Sequence, residues 1–282
     1  MHNVGCLSGF GDSYTKGPRL EVENGVVIKL QTYMQIIVDD IDIEYQDTGS
    51  GPVVLLLHGW GGNAFSFNPL VRELNDKRFI SLSFPGFGKS EAPANPWGVI
   101  DYAQFLSTFL KKLNISGIDI VVAHSFGGRV VIKAIAETML FPKKLILIGA
   151  AGVSQKAFLQ RCTSVAIKVG KIAIAIIPIP SIRRRLKNFA RRAVGSDDYR
   201  NAGNLKDTLV KVVNEDLRSD ASKIETPTLL IWGDQDQQTP LADARTLNNC
   251  IKHSYLKIIE GADHFVFVSE TKRVAELIND FV

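Results

Sequence analysis

The chain has 282 residues, 45% hydrophobic, 22% charged and 9% aromatic, a composition that buries a large core and excludes a disordered, collagen-like or disulfide-scaffold protein. At about 150 residues per domain, the length corresponds to roughly two domains or to one large α/β domain with an insertion. Lys and Arg number 33 against 29 Asp and Glu, a net of +4, too small to indicate a nucleic-acid partner unless the positive charge is concentrated in one place.

Residues 1–33 are rich in Gly and polar side chains and have no basic start followed by an apolar run, so they read as an extension outside the core rather than a secretory signal. From Met34 the pattern becomes that of a folded domain. Ile36 to Val38 and Ile41 to Tyr45 flank Asp39-Asp40 and predict a hairpin. Val53 to Leu57 is a continuous apolar run, which suits a central strand covered on both faces. Further strands are predicted at Phe79 to Ser83, Ile118 to Ala123, Lys144 to Ile148, Pro227 to Trp232 and Tyr255 to Ile259. Between them lie helical patterns at Asn68 to Leu74, Tyr102 to Leu113, Gly127 to Thr138, Leu241 to Asn249 and Thr271 to Phe281. Such alternation builds a mostly parallel central sheet with helices on both faces. Ligands then bind beyond the carboxyl ends of the strands, where the functional residues are to be sought.

The segment 153–222 breaks this rhythm with helical, basic text. It holds 14 Lys and Arg against 6 Asp and Glu, a net of +8, leaving 19 against 23 and a net of −4 elsewhere. Arg183, Arg184, Arg185, Lys187, Arg191 and Arg192 beside the run Ile172 to Ile179 fit either an anionic membrane or a solvated outer face over an apolar underside. The second reading is preferred, and it makes the segment a cap over the mouth of a site that takes acyl or aromatic groups. The longest apolar stretch, Val165 to Pro180, is interrupted by Lys168 and Lys171 and falls short of the roughly 20 residues that cross a bilayer. Cys6, Cys162 and Cys250 are odd in number and far apart, which predicts reduced thiols in a cytoplasmic setting and no metal site.

The sharpest chemical signal is Val121-Val122-Ala123-His124-Ser125-Phe126-Gly127-Gly128, a strand that runs into Ser125 and straight on into a helix. So tight a turn exposes the serine at the sheet edge and needs small neighbours two positions away, as in G-x-S-x-G, with Ala123 here in the first glycine position. The competing reading is that Ser125 merely caps the helix. A serine nucleophile needs a base and the base an orienting acid. His264, in Gly261-Ala262-Asp263-His264 after the last strand, is the strongest base candidate among five histidines. The acid lies in Gly233-Asp234-Gln235-Asp236-Gln237-Gln238-Thr239-Pro240, where Asp236, out in the turn, is preferred to Asp234, which is read as fixing the loop. Asp263 is assigned a solvated role. The glycine-rich loop His58-Gly59-Trp60-Gly61-Gly62 can turn backbone amides toward the same edge, and the Trp60 and Phe126 N–H groups are read as an oxyanion hole. Neither G-x-G-x-x-G nor G-x-x-x-x-G-K-[ST] occurs, so no nucleotide site is expected.

With Pro85-Gly86-Phe87-Gly88-Lys89-Ser90 included, these five motifs in this order resemble the α/β-hydrolase superfamily in its serine esterase and lipase-like branch, over residues 34–282. The resemblance implies an α/β-hydrolase fold with a core at 34–152 and 223–282 and a helical cap at 153–222, inserted after the sixth strand. It also implies a Ser125, Asp236, His264 triad, an acyl-enzyme, no cofactor and no metal. Ser83 departs from the Asp that commonly precedes the Pro-Gly-x-Gly turn. The expected activity is a carboxylesterase on small esters of short to medium acyl chains, with Trp60, Phe126 and Phe265 contacting substrate. A C–C bond hydrolase of ring-cleavage diketones, a thioesterase and a non-catalytic ligand-binding module are the alternatives.

Overall fold

A computed structural model of the protein describes residues 33–153 and 202–282, together with the backbone of three short strands before them. These are β1 (Ser13–Thr15), β2 (Leu20–Glu23) and β3 (Val26–Lys29). The predicted hairpin forms from β4 (Met34–Val38) and β5 (Ile41–Gly49), paired antiparallel. Its two-residue turn works because both Asp39 and Asp40 adopt positive φ, 50° and 62°, as the tightest hairpins require.

The parallel strands are β6 (Val53–Leu57), β7 (Arg78–Leu82), β8 (Ile120–His124), β9 (Lys144–Ile148), β10 (Thr228–Gly233) and β11 (Ser254–Ile259). They join the hairpin and β1 in a nine-stranded sheet of order β1-β4-β5-β7-β6-β8-β9-β10-β11. Successive residues of each central strand feed opposite cores. Leu55, Leu57, Val121, Ala123, Leu145 and Leu147 face one cluster, while Val54, Leu56, Ile120, Val122, Ile146 and Ile148 face the other. That is why these runs are apolar without alternation.

Helices α2 (Val99–Lys112), α3 (Phe126–Ala136) and α6 (Leu241–Cys250) cover the first face. Helices α1 (Asn68–Glu73) and α8 (Thr271–Phe281) cover the second. Two shorter helices, α4 (Lys206–Asn214) and α5 (Arg218–Ala221), precede β10, and α7 (Val266–Ser269) follows β11. The chain runs from β6 to β7 on one side and then crosses back to β8 on the other side of β6. The reversal places a crevice between the carboxyl ends of β6 and β8, where their loops diverge.

Three expectations are corrected or bounded. Residues 1–33 are not wholly outside the sheet, because Ser13–Thr15 pairs antiparallel with Met34–Ile36 as an added edge strand. Helix α2 starts at Val99 rather than Tyr102, because the Asp101 carboxylate reaches back to accept the Gly98 N–H at 2.7 Å and so secures an earlier first turn. Of the segment read as a cap, 202–222 is helical and leans on the sheet domain: Trp97 N donates to Thr208 Oγ1 at 3.1 Å and Lys211 Nζ to the Pro96 carbonyl at 2.7 Å. The basic cluster Arg183 to Arg192, the run Ile172 to Ile179 and Cys162 lie outside the described residues, whereas Cys250 is a free, half-buried thiol.

Candidate active site

Ser125 is the single residue between β8 and α3 and holds φ 48° and ψ −109°. A side chain in that region costs on the order of 1–3 kcal/mol and persists only where the surroundings force it. Here they do: Ser125 N donates to the Ile148 carbonyl at 3.1 Å, and the Ser125 carbonyl accepts from Gly128 N and Ala151 N, both at 3.0 Å. Gly127 is required on the other side of the turn, because a β-carbon there would run into the Leu57 carbonyl. The side chain of Ser125 makes no hydrogen bond to the helix it precedes, so the helix-cap reading finds no support.

His264 and Asp236 meet from the loops after β11 and β10. Nδ1 of His264 lies 2.8 Å from Asp236 Oδ2, with both side chains buried. A carboxylate only accepts, so the imidazole proton sits on Nδ1 and Nε2 keeps a lone pair. Asp236 Oδ1 accepts the Gln238 and Thr239 amides, each at 2.8 Å. Burial works to raise the Asp236 pKa, but the bonds from His264 and from the amide and hydroxyl of Thr239 outweigh it and hold the carboxyl below its usual range. Asp234, the competing acid, accepts the Gly261 N–H at 2.7 Å and ties the two loops together. Asp263 is exposed and accepts the Phe265 N–H at 2.9 Å.

The serine turn and this pair are held against each other by two residues. His124, just before Ser125, donates from Nε2 to the His264 carbonyl at 3.0 Å, and its ring lies 4.6 Å from that of His264. Gly149, which follows the strand that accepts the Ser125 amide, packs so close that a β-carbon would sit 3.3 Å from both Asp236 Oδ2 and His264 Nδ1. The glycine-rich loop closes the other side: a β-carbon on Gly59 would lie 2.6 Å from His124 Nδ1 and 3.2 Å from Ser125 Cβ. Among the described residues, the Trp60 amide donates to no backbone carbonyl. Phe126, at the first position of α3, has no acceptor one turn back. Trp60 is half-buried, Phe265 is 47% exposed beside His264, and the Phe126 ring is buried among Trp60, Phe84, Phe87 and Tyr102.

Four further residues shape the site that the sequence reading left without a role. His58 donates from Nδ1 to the Gly59 carbonyl at 2.7 Å and accepts the Phe84 N–H at Nε2 at 2.9 Å, which fixes the glycine-rich loop. Burial pushes its pKa down to about 4 and that of His124 to about 3, so both are neutral at pH 7. Glu44 accounts for Ser83, whose hydroxyl donates to Glu44 Oε2 at 2.7 Å and accepts the Ala64 N–H at 2.9 Å, so a buried carboxylate is supplied from the neighbouring strand. Thr239 was legible only as a threonine three residues beyond an aspartate, a common turn arrangement.

The family model for the alpha/beta hydrolase family matches residues 54–277. The chain belongs to the alpha/beta hydrolase family. This hydrolase is 24% identical over 257 residues to a pimeloyl-[acyl-carrier protein] methyl ester esterase of Shewanella woodyi, covering 85% of this chain and 97% of that one. It is 25% identical over 279 residues to a 2-hydroxy-6-oxo-2,4-heptadienoate hydrolase of Pseudomonas putida, covering 88% and 95%. Among solved structures, an esterase from Exiguobacterium antarcticum superposes with a TM-score of 0.67 at 22% identity, over 88% of this alpha/beta hydrolase and 98% of that chain. Among the described residues, no helix is long and apolar enough to cross a membrane.

Proposed function

We propose that this alpha/beta hydrolase is a serine carboxylesterase acting on small esters of short to medium acyl chain, working in the cytoplasm. The observation that carries the reading is the buried Asp236–His264 pair at 2.8 Å, set by His124 and Gly149 against a serine in a strained, uncapped turn. Ser125 Oγ attacks the ester carbonyl carbon as His264 Nε2 takes its proton, and Asp236 stabilises the imidazolium. The carbonyl oxygen, now negative, is held by the Trp60 and Phe126 N–H groups; one such donor is worth about 2.7–4 kcal/mol of transition-state stabilisation. Collapse breaks the bond to the leaving oxygen, which departs with the proton from His264 and leaves an acyl-Ser125. Water repeats the sequence: His264 takes one proton, hydroxide adds to the acyl carbon, and collapse returns the proton to Ser125 and frees the acid. Trp60, Phe126 and Phe265 are assigned to the acyl and alcohol groups, and residues 153–222 to a cap over the core formed by 34–152 and 223–282.

Similarity to the heptadienoate hydrolase over most of the chain favours one second reading, cleavage of a C–C bond in a ring-cleavage diketone by the same residues. The test assays p-nitrophenyl esters of rising chain length, a thioester and such a diketone, with Ser125→Ala as control. Ester turnover that falls by at least about 10³-fold in Ser125→Ala is expected. Preference for the diketone would replace the ester reading, and full activity in Ser125→Ala would overturn both.

A further inference from the structure

Thr239 is buried, and its position is fixed from both sides. Trp232 Nε1 donates to the Thr239 carbonyl at 2.7 Å, and the next residue, Pro240, leads directly into α6. Its hydroxyl has one proton and three polar neighbours: Asp236 Oδ2 at 2.7 Å, the Gly149 carbonyl at 3.1 Å and His264 Nδ1 at 3.3 Å. Nδ1 already carries a proton toward Oδ2 and cannot accept. The hydroxyl proton is therefore divided between the carboxylate and the Gly149 carbonyl. When it goes to the carboxylate, it lands on Oδ2, the same oxygen that accepts His264.

We propose that Thr239 is a positioning residue that sets the basicity of the Asp236–His264 pair through this rotatable proton. The inference rests on the assignment of His264 as base. While His264 is neutral, the hydroxyl donates to Oδ2 and draws off part of the carboxylate charge. When His264 becomes an imidazolium, its Nδ1–H demands more of Oδ2. The hydroxyl then turns to the Gly149 carbonyl and releases that oxygen at the moment the charge develops. No atom moves except one hydroxyl hydrogen.

The other titratable groups around the pair leave the hydroxyl as the adjustable element. His124, beneath the His264 ring at 4.6 Å, is neutral, and so is His58 beyond it. Asp234 and Asp263 are engaged by the Gly261 and Phe265 amides.

Removing the hydroxyl leaves Oδ2 permanently more negative, which stabilises the imidazolium and moves protonation of the base to higher pH. In Thr239→Val, measured on the best ester at a pH on the acid limb, kcat is expected to fall about tenfold with KM nearly unchanged, because a base protonated to higher pH is less available there. The acid limb of the kcat–pH profile moves up by about one unit, a size set by the loss of one hydrogen bond to a charged group. Thr239→Ala, which adds no branched carbon, shows the same limb shift, and Thr239→Ser restores both rate and limb. An unmoved limb in whichever of the Val and Ala variants folds, or a loss that Ser does not restore, overturns the proposal. Ser125→Ala run alongside separates the two levels. Loss there with unmoved limbs in the Thr239 variants removes Thr239 alone, whereas full activity there removes the catalytic reading and Thr239 with it.

Discussion

The loop after β6 and the last residue of β8 bury imidazoles against backbone groups, whereas the loop after β11 buries one against a carboxylate. His58 and His124 spend ring nitrogens on the Gly59 carbonyl, the Phe84 amide and the His264 carbonyl. His264 alone among the three faces an anion, Asp236 Oδ2. A buried imidazole with only neutral partners is fixed in its neutral form, because nothing repays desolvation of its cation. One that faces a carboxylate can take up charge and give it back. The first half of the sheet edge is thus a rigid frame for the glycine-rich loop and the serine turn, and the second half is where a proton can be stored.

Asp236→Asn probes that contrast most severely, since an amide in place of the carboxylate can hold the wrong imidazole tautomer and cannot stabilise the imidazolium. A kcat loss on the order of 10³- to 10⁴-fold is expected on the best ester, with KM little changed. A loss under tenfold would move the acid elsewhere.

The frame's histidines should show themselves in acid stability. An unfolded imidazole gains its proton near pH 6.5, while His58 and His124 resist it until about pH 4 and about pH 3. Between those limits the unfolded chain binds more protons than the folded one. Stability therefore falls as pH falls, by up to about 1.4 kcal/mol per pH unit for each histidine. Asp236, with its carboxyl held low, adds a loss in the same direction as the pH falls from the ordinary carboxylate value toward its own lower folded value. Urea unfolding at successive pH values between 7 and 4 checks this. A flat profile in that window would contradict the neutral-frame account.

A smaller effect is expected for His124→Leu, which strips the buried His264 carbonyl of its donor. The cost is about 1–3 kcal/mol of stability, and His124→Asn should recover part of it if its amide reaches the same carbonyl. Equal losses in the two variants by thermal or urea unfolding would mean that packing of the ring, and not its hydrogen bond, is what matters. The smallest effect belongs to Asp234→Asn. Its Oδ1 can still accept the Gly261 amide, so activity within about threefold of the parent is expected, and a loss matching that of Asp236→Asn would exchange their roles.

Much of this arrangement is legible in the sequence because the central strands are covered on both faces. Val53–Leu57 and Lys144–Ile148 are apolar runs whose ends could be read directly, and Ser125, Asp236 and His264 each fall just past such an end. Strand Ser13–Thr15 was not legible, since a three-residue polar edge strand has neither alternation nor an apolar run and exists only through its pairing with Met34–Ile36. The early start of α2 depended on one side chain turning back to Gly98. Thr239 and His124 were hidden for a different reason: their partners, Gly149 and the His264 carbonyl, are 90 and 140 residues away. Such contacts follow from the assembled sheet edge and from no local pattern.

The central claim is that Ser125 is an activated nucleophile served by His264. A serine-directed fluorophosphonate, followed by peptide mass mapping, tests it without knowledge of the natural substrate. The account predicts a single adduct, on Ser125, formed much more slowly in His264→Ala. Labelling at another residue, or an unlabelled chain that still turns over esters, would contradict it.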